Sequence, residues 1–326
     1  MYQINLDAAE KSLDGRQLDR LIDRWLETVA ADVEASTLDG YRQKIEHFRR
    51  WWCEAGASLD WRITRSALAT FGRWLAEQPS RKPPYNPPSY GQQGDVLRRV
   101  AQMFRWAKTK NFTEIDHSGW LPAPMGEPTS RKAPTLADLA RLMDAASQSV
   151  SPTRDRALLA FLIGTGVRRA EAASVQVENV QFAADGSGVA GVIGKRTRAN
   201  ESGRRSVAFD ATTGLYLLAL IDQDGRAEGA LFVTEAGAPM GNQAIHRAVK
   251  RAIKRAGLEE RIVGSHDLRR AFATHLARHA RIDPTLAADM IRRQMGHTSY
   301  SMTARYSLLD VDDLRETIVS PLSMTT

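Results

Sequence analysis

The chain has 326 residues, 43% of them hydrophobic and 25% charged. This suits a soluble protein with two domains, each burying a core. No run approaches the roughly 20 apolar residues of a membrane helix. Met1–Gly15 lacks the basic patch and apolar run of a secretory signal. The single cysteine, Cys53, excludes an internal disulfide, and no Cys/His spacing suits zinc. The expectation is a cytoplasmic protein that uses neither metal nor cofactor. Lys and Arg total 45 against 38 Asp and Glu, a net charge of +7. The basic residues cluster at Arg98-Arg99, Arg131-Lys132, Arg168-Arg169, Lys195 to Arg205, Arg247 to Arg255, Arg269-Arg270 and Arg292-Arg293. Such clusters can neutralise nucleic-acid phosphates, and they can equally be solvated helix faces.

In chain order, residues 1–15 form an extension and residues 16–110 read as a helical domain. Leu18, Leu21, Ile22, Trp25, Leu26 and Val29 recur at helical spacing. Ser36 or Thr37 caps a second helix bearing Tyr41, Ile45, Phe48 and Trp52. A third carries Leu68, Phe71, Trp74 and Leu75. The proline-rich run from Pro79 to Pro88 cannot be helical. A fourth helix turns Val96, Leu97, Val100, Phe104 and Ala107 inward, with Arg98, Arg99, Arg105 and Lys108 largely outward. The aromatic residues are expected to be core. Residues 111–133, with four prolines or glycines among Pro122, Pro124, Gly126 and Pro128, read as a linker.

The second domain, 134–326, opens with Thr135 and Asp138 spaced as a capping box. An apolar helix runs from Asp155 to Ile163 and ends near Gly164. Asp185-Gly186-Ser187-Gly188 reads as a turn, with strands at Val189 to Ile193 and Ser206 to Phe209. Helices then cover Gly214 to Asp222, Asn242 to Ala256, His266 to Ala280 and Pro284 to Gln294. Gly257 and Gly296 act as terminators. The fold class is therefore mainly α with a small antiparallel sheet.

Four patches of this domain carry chemistry. They are Gly164-Thr165-Gly166-Val167-Arg168-Arg169-Ala170-Glu171; Gly194-Lys195-Arg196; His266-Asp267-Leu268-Arg269; and Gly296-His297 followed by Tyr306. Taken singly, each has a plain structural reading. Arg168 can pair with Glu171 along a helix. His266 can be a cap or core histidine, Lys195 a turn lysine and Tyr306 a packing tyrosine. Their order and spacing together resemble the tyrosine recombinase, or phage integrase, family. That family carries a T-G-hydrophobic-R-x-x-E box, a lysine in a β-turn, an H-x-L-R box, and a G-H with a tyrosine nine residues on. The chain supplies Thr165-Gly166-Val167-Arg168 with Glu171, then Lys195, His266 with Leu268 and Arg269, Gly296-His297, and Tyr306 nine residues later. Arg169 departs from the pattern, where a less polar residue is usual. The N-terminal helices resemble the family's core-binding domain.

The resemblance implies a site-specific recombinase that cleaves and rejoins DNA through a 3′-phosphotyrosyl link, for integration, excision or resolution of DNA elements. It implies the catalytic set Arg168, Lys195, His266, Arg269, His297 and Tyr306, and a tetramer on two double-stranded DNA sites. The chemistry suits these residue types. A phosphodiester gains negative charge on the way to five-coordination, and Arg168 and Arg269 meet it with permanently charged forks. His266 and Arg269, three apart, leave one helix face. His266 can take the nucleophile's proton, His297 can donate to a non-bridging oxygen, and Lys195 can protonate the leaving 5′-oxygen. No Walker-type loop or two-metal carboxylate cluster is evident. The candidate DNA contacts are Arg98, Arg99 and Arg105 on one helix and Lys250 and Arg251 on another. The tail 307–326, with Leu308, Leu309, Val311, Leu314 and Ile318, can dock on its own domain or on a neighbour. Two other readings remain beside this one: nicking and rejoining of the type IB topoisomerase kind, and a non-catalytic DNA-binding regulator on the same scaffold.

Overall fold

The structure, a computed structural model, describes residues 17–59, 62–79, 86–127, 132–194, 202–279 and 284–296. The chain divides into two compact units, Met1–Arg131 and Lys132–Thr326. Residues 1–15, most of the proline run and the tail 307–326 lie outside the described residues.

The first unit is a helical bundle of α1 (Leu18–Ala30), α2 (Ala35–Ala55), α3 (Arg65–Glu77) and α4 (Tyr90–Thr109). The stripe expected on α1 is buried from Leu18 to Leu26. At the centre sits Phe48, edge-on to Phe71 and Phe104 at centroid distances of 5.0 and 5.7 Å. This is the preferred geometry of aromatic pairs. One start differs from expectation. Helix α2 has Glu34 at its N-cap with no side-chain cap bond, so Ser36 and Thr37 lie inside the first turn. Burial of Leu38 requires helical geometry to begin ahead of it. Helix α4, for which the sequence set no start, begins at Tyr90, where Ser89 and Gln92 form a reciprocal capping box.

Much of the stretch read as a linker belongs to this unit. His117–Trp120 is a 3-10 turn whose His117 ring is fully buried, 5.4 Å from Phe104 and 4.7 Å from Trp120. Pro122 packs so closely on α3 that a Cβ at Gly72 would stand 2.4 Å from its ring. The Gln93 side chain accepts from Met125 N at 2.9 Å. Proline and glycine content suggested a free connector. The aromatic anchors within it pin the backbone to the bundle instead.

In the second unit, α5 (Leu136–Ser147) begins at the expected capping box: Thr135 N donates to Asp138 Oδ2 at 2.9 Å, and Asp138 N to Thr135 Oγ1 at 3.2 Å. Helix α6 (Pro152–Thr165) is apolar nearly all round and runs through the core, burying Ala157 to Leu162. It stops at Gly166, in the left-handed region with φ 64°. There a Cβ would come within 2.4 Å of the Phe272 ring, so only glycine fits the turn that launches Val167 and Arg168. After the short α7 (Arg169–Ala172) comes an antiparallel sheet in the order β1 (Val180–Phe182), β2 (Gly188–Ile193), β3 (Arg204–Phe209). Its register pairs Val180 with Ala190 and Ala190 with Val207. The two longer strands were legible; β1 is too short to display an alternation. Helices α8 (Ala211–Asp224), α9 (Asn242–Arg255) and α10 (Ser265–His279) complete the core. Helix α11 (Pro284–Met295) instead packs its apolar Ile291 and Met295 into a small separate cluster with α10. Gly257 and Gly296, at φ 61° and 62°, follow their helices as expected. No described helix is long and apolar enough to cross a membrane.

Candidate active site

Three elements bring the predicted groups together. The left-handed turn at Gly166 sets Arg168 at the N-cap of α7, its backbone extended. Its guanidinium Nη1 donates to Glu171 Oε1 at 3.2 Å and to the Met295 carbonyl at 3.4 Å, while the side chain stays 44% exposed. Arg269, on α10, is 2% exposed. It donates through Nη1 to the Gly166 carbonyl and through Nη2 to the Met295 carbonyl, both at 2.6 Å. Two arginines that are about a hundred positions apart in sequence thus reach one acceptor, directly ahead of Gly296-His297.

His266 lies one turn before Arg269 on α10, with its ring open to solvent. Partial loss of hydration lowers its pKa, and the charges of Arg269, Arg270 and Arg168 add to this, against an opposing pull from Asp267. The ring is therefore neutral at pH 7 and able to accept a proton.

Glu171 holds the cluster together. It is 1% exposed and sits among Arg168, Arg205 and Arg269. Burial alone would raise its pKa. Hydrogen bonds from the Arg205 side chain and the Arg168 backbone, with the charges of both arginines, outweigh burial and hold it below the usual carboxylate range. One carboxylate facing three guanidiniums leaves an excess of positive charge, a setting for an anion. Gly194, at the end of β2, closes over the same carboxylate, since a Cβ there would stand 2.8 Å from Oε1. Arg168, His266 and Arg269 therefore share one site. Lys195, which follows Gly194, His297, which follows Gly296, and Tyr306 lie outside the described residues.

Sequence reasoning gave Glu171 as a helical neighbour of Arg168 and as the last residue of the family's first box, with no role of its own, and Arg205 only as part of a basic cluster. The readable signal was strand alternation. Arg205 shares a face of β3 with buried Val207 and Phe209, where a lone arginine calls for a buried partner.

The candidate DNA contacts divide. Arg98 is exposed and paired with Asp95 at 2.8 Å, and Arg105 is exposed. Arg99 lies over the Tyr41 ring at 4.0 Å and donates to Gln102, so packing within the bundle occupies it. On α9, Lys250 and Arg251 are exposed beside Arg247 and Lys254, opposite the buried Ile245, Val249, Ala252 and Ile253. Loss of hydration, with the charges of Arg169 and Lys250, lowers the pKa of His246, which places Arg169 beside this basic face.

Residues 135–312 match the model of the phage integrase family. The chain is 26% identical over 298 residues to the tyrosine recombinase XerD of Corynebacterium glutamicum, covering 90% of this chain and 94% of that protein. It is 29% identical over 307 residues to XerD of Xanthomonas axonopodis pv. citri, covering 91% and 93%. Among solved structures, a lambda integrase dimer bound to a COC′ core site shares the fold at a TM-score of 0.66 with 18% identity, covering 93% of this chain and 79% of that one. The post-cleavage complex of XerH on a palindromic difH substrate gives the same score and identity, covering 93% and 83%. A lambda integrase tetramer bound to a Holliday junction gives 0.63 at 18% identity, covering 87% and 78%. The chain belongs to the phage integrase family and is a tyrosine site-specific recombinase, an enzyme that cleaves and rejoins DNA.

Proposed function

We propose that this chain cleaves DNA with Tyr306 as nucleophile, at a phosphodiester held by Arg168 and Arg269. The phenol oxygen attacks phosphorus, its proton passes to His266, and the bond to the sugar 5′-oxygen breaks. Lys195 protonates that departing oxygen, and His297 donates to a non-bridging oxygen. The products are a 3′-phosphotyrosyl link and a free 5′-hydroxyl. A 5′-hydroxyl from a second strand reverses the step and joins new partners, with no net loss of phosphoester bonds. The observation that carries this reading is the convergence of Arg168 and Arg269 on the Met295 carbonyl. Two forks within reach of one oxygen are placed to grip one phosphate. The test uses a nicked duplex that traps the intermediate. A peptide containing Tyr306 should be recovered attached to the 3′-phosphate end of the cut strand. Attachment at another residue, or at the 5′ end, overturns the assignment.

The general-acid role of Lys195 has its own check. Lys195→Ala should cleave ordinary DNA about 10²- to 10⁴-fold more slowly. On a substrate with sulfur at the 5′-bridging position, its rate should return close to that of the wild type, because a thiolate leaves without a proton. Equal deficits on both substrates would remove Lys195 from the role.

The DNA is bound by the exposed faces of both units, through Arg98 and Arg105 on α4 and Lys250 and Arg251 on α9. Arg99 is a weaker candidate, given its engagement with Tyr41. Reversing charge at Lys250 and Arg251 together should weaken binding and flatten the plot of log affinity against log salt by about two phosphates' worth, near 0.9 per phosphate. An unchanged slope counts against α9. Strand exchange takes place in a tetramer on two DNA sites in the cytoplasm, and the lambda integrase tetramer on a Holliday junction supports that assembly.

A further inference from the structure

We propose that Arg205 is a positioning residue for DNA cleavage: it clasps Glu171 with one edge of its guanidinium and the Gln294 carbonyl with the other, and so sets the C-terminal end of α11 in register with Arg168 and Arg269. The inference rests on the functional reading above and adds a residue to it. The geometry is specific to arginine. Nε and Nη2 donate to Glu171 Oε1 and Oε2 at 3.3 and 3.0 Å, while Nη1 donates to Gln294 O at 2.6 Å. One planar group therefore spans β3, the residue that organises both arginines, and α11. A lysine offers a single point charge and cannot make that span.

Helix α11 needs such a joint. Among the described residues its apolar side chains, Ile291 and Met295, pack with α10 in a cluster separate from the main core, and its described contacts with the sheet are polar. The Gln294 amide clasps Ala208 on β3, accepting from its N–H at 3.1 Å and donating to its carbonyl at 2.7 Å. Strand β3 is the edge of the described sheet, and this amide covers backbone groups on it. Arg205 then binds the carbonyl of the same residue, and Arg168 and Arg269 bind the next carbonyl, Met295. At Gly296 the backbone passes so close that a Cβ would stand 2.9 Å from Arg205 Nε. The guanidinium of Arg205 thus sets the point from which the chain continues to His297 and Tyr306. An error of about 1 Å in such placement can cost about a hundredfold in rate.

The groups that face Glu171 among the described residues are Arg168, Arg205 and Arg269. Of these, Arg205 contributes most to keeping it ionised against burial. Without Arg205, the carboxylate protonates at higher pH and loosens its hold on the arginines.

The experiment measures single-turnover adduct formation by the full chain. The substrate is a nicked duplex whose site has been selected from random sequence by the wild-type protein. DNA affinity and melting temperature are measured alongside. Arg205→Lys is expected to keep affinity within about threefold and to slow adduct formation by about 30- to 100-fold. Arg205→Gln is expected to slow it at least as much and to move the acid limb of the rate upward in pH. Wild-type rates in both variants overturn the proposal. So does a loss of rate matched by an equal loss of affinity, or an acid limb that does not move. Should the Arg205 variants not fold, Gln294→Leu removes the amide clasp on Ala208 but leaves Arg205 its backbone carbonyl. Adduct formation within about tenfold of wild type is expected, and a loss of about a hundredfold at unchanged affinity would put the joint in the amide rather than in Arg205 and overturn the proposal. Tyr306→Phe runs in parallel. If wild type forms adducts and Tyr306→Phe does not, a negative result at Arg205 sinks this inference alone. If wild type forms none, the functional reading falls and the proposal falls with it.

Discussion

Tyr306→Phe is expected to abolish covalent protein–DNA adducts completely, while DNA affinity changes by less than about tenfold, the worth of one hydrogen bond. The asymmetry follows from what each group supplies. In the proposed mechanism the arginines, histidines and lysine lower a barrier, so removing one should slow the reaction and leave a residue of activity. The phenol oxygen of the proposed nucleophile would become part of the intermediate, and a benzyl side chain has no atom to put in its place. An unperturbed phenol has a pKa of about 10 and stays protonated at pH 7. In the proposed reaction its proton passes to the imidazole of His266, whose pKa is lowered by partial loss of hydration and by the neighbouring arginines. The fourth patch also contains Tyr300, six residues before Tyr306. Tyr300→Phe should form adducts at close to the wild-type rate. A denaturing gel of protein with end-labelled nicked DNA reads both variants. Adduct from Tyr306→Phe, or its loss from Tyr300→Phe alone, would move the nucleophile elsewhere.

How much of this was legible in the sequence depends on the range over which each signal acts. Helices α1, α5 and α9 announce themselves because an apolar stripe, and at α5 a capping box, are local facts, complete within a dozen residues. Thr135 with Asp138 shows this, as does Gly257 after α9. The turn at Gly166 was legible as part of a motif, but its cause, the Phe272 ring brought from α10, was not. The same divide runs through the site. Arg168, His266 and Arg269 were singled out because motif and spacing name them, and the fold brings them together. Glu171 was underrated because a salt bridge three residues apart on a helix is ordinarily a surface matter worth little. What makes it central is burial by β2, β3 and α10, which only folding produces. Arg205 and Gln294 meet across 89 positions, and no local pattern foretells that bond. The packing of the stretch 111–127 was hidden for a related reason: proline and glycine report backbone freedom, whereas His117 and Trp120 find their partners in the helical bundle.

Arg168 and Arg269 should both prove necessary for cleavage and yet separate in stability. Changing either to lysine is expected to slow adduct formation by about 10²- to 10³-fold, the usual cost of losing one preorganised donor at a charged transition state. Their surroundings differ. Arg269 is almost wholly buried and satisfies two backbone carbonyls, Gly166 and Met295, from one guanidinium. Lysine cannot serve both, and a buried acceptor left without a donor costs about 1–3 kcal/mol. The melting temperature of Arg269→Lys should therefore fall by roughly 2–3 °C for each kcal/mol lost, on the order of 5 °C in all for a unit of this size. Arg168 is nearly half exposed, and its contact to Met295 is long. Lysine keeps a positive charge facing Glu171, and the side chain at this position is nearly half in solvent, so Arg168→Lys should melt within a few degrees of wild type. Calorimetry of the two variants, beside their single-turnover rates on one nicked substrate, gives the comparison. A wild-type rate in either variant would remove that arginine from the phosphate. Equal losses of stability would mean that the buried carbonyls of Gly166 and Met295 do not depend on Arg269, and that the difference in burial between the two arginines carries no energetic weight.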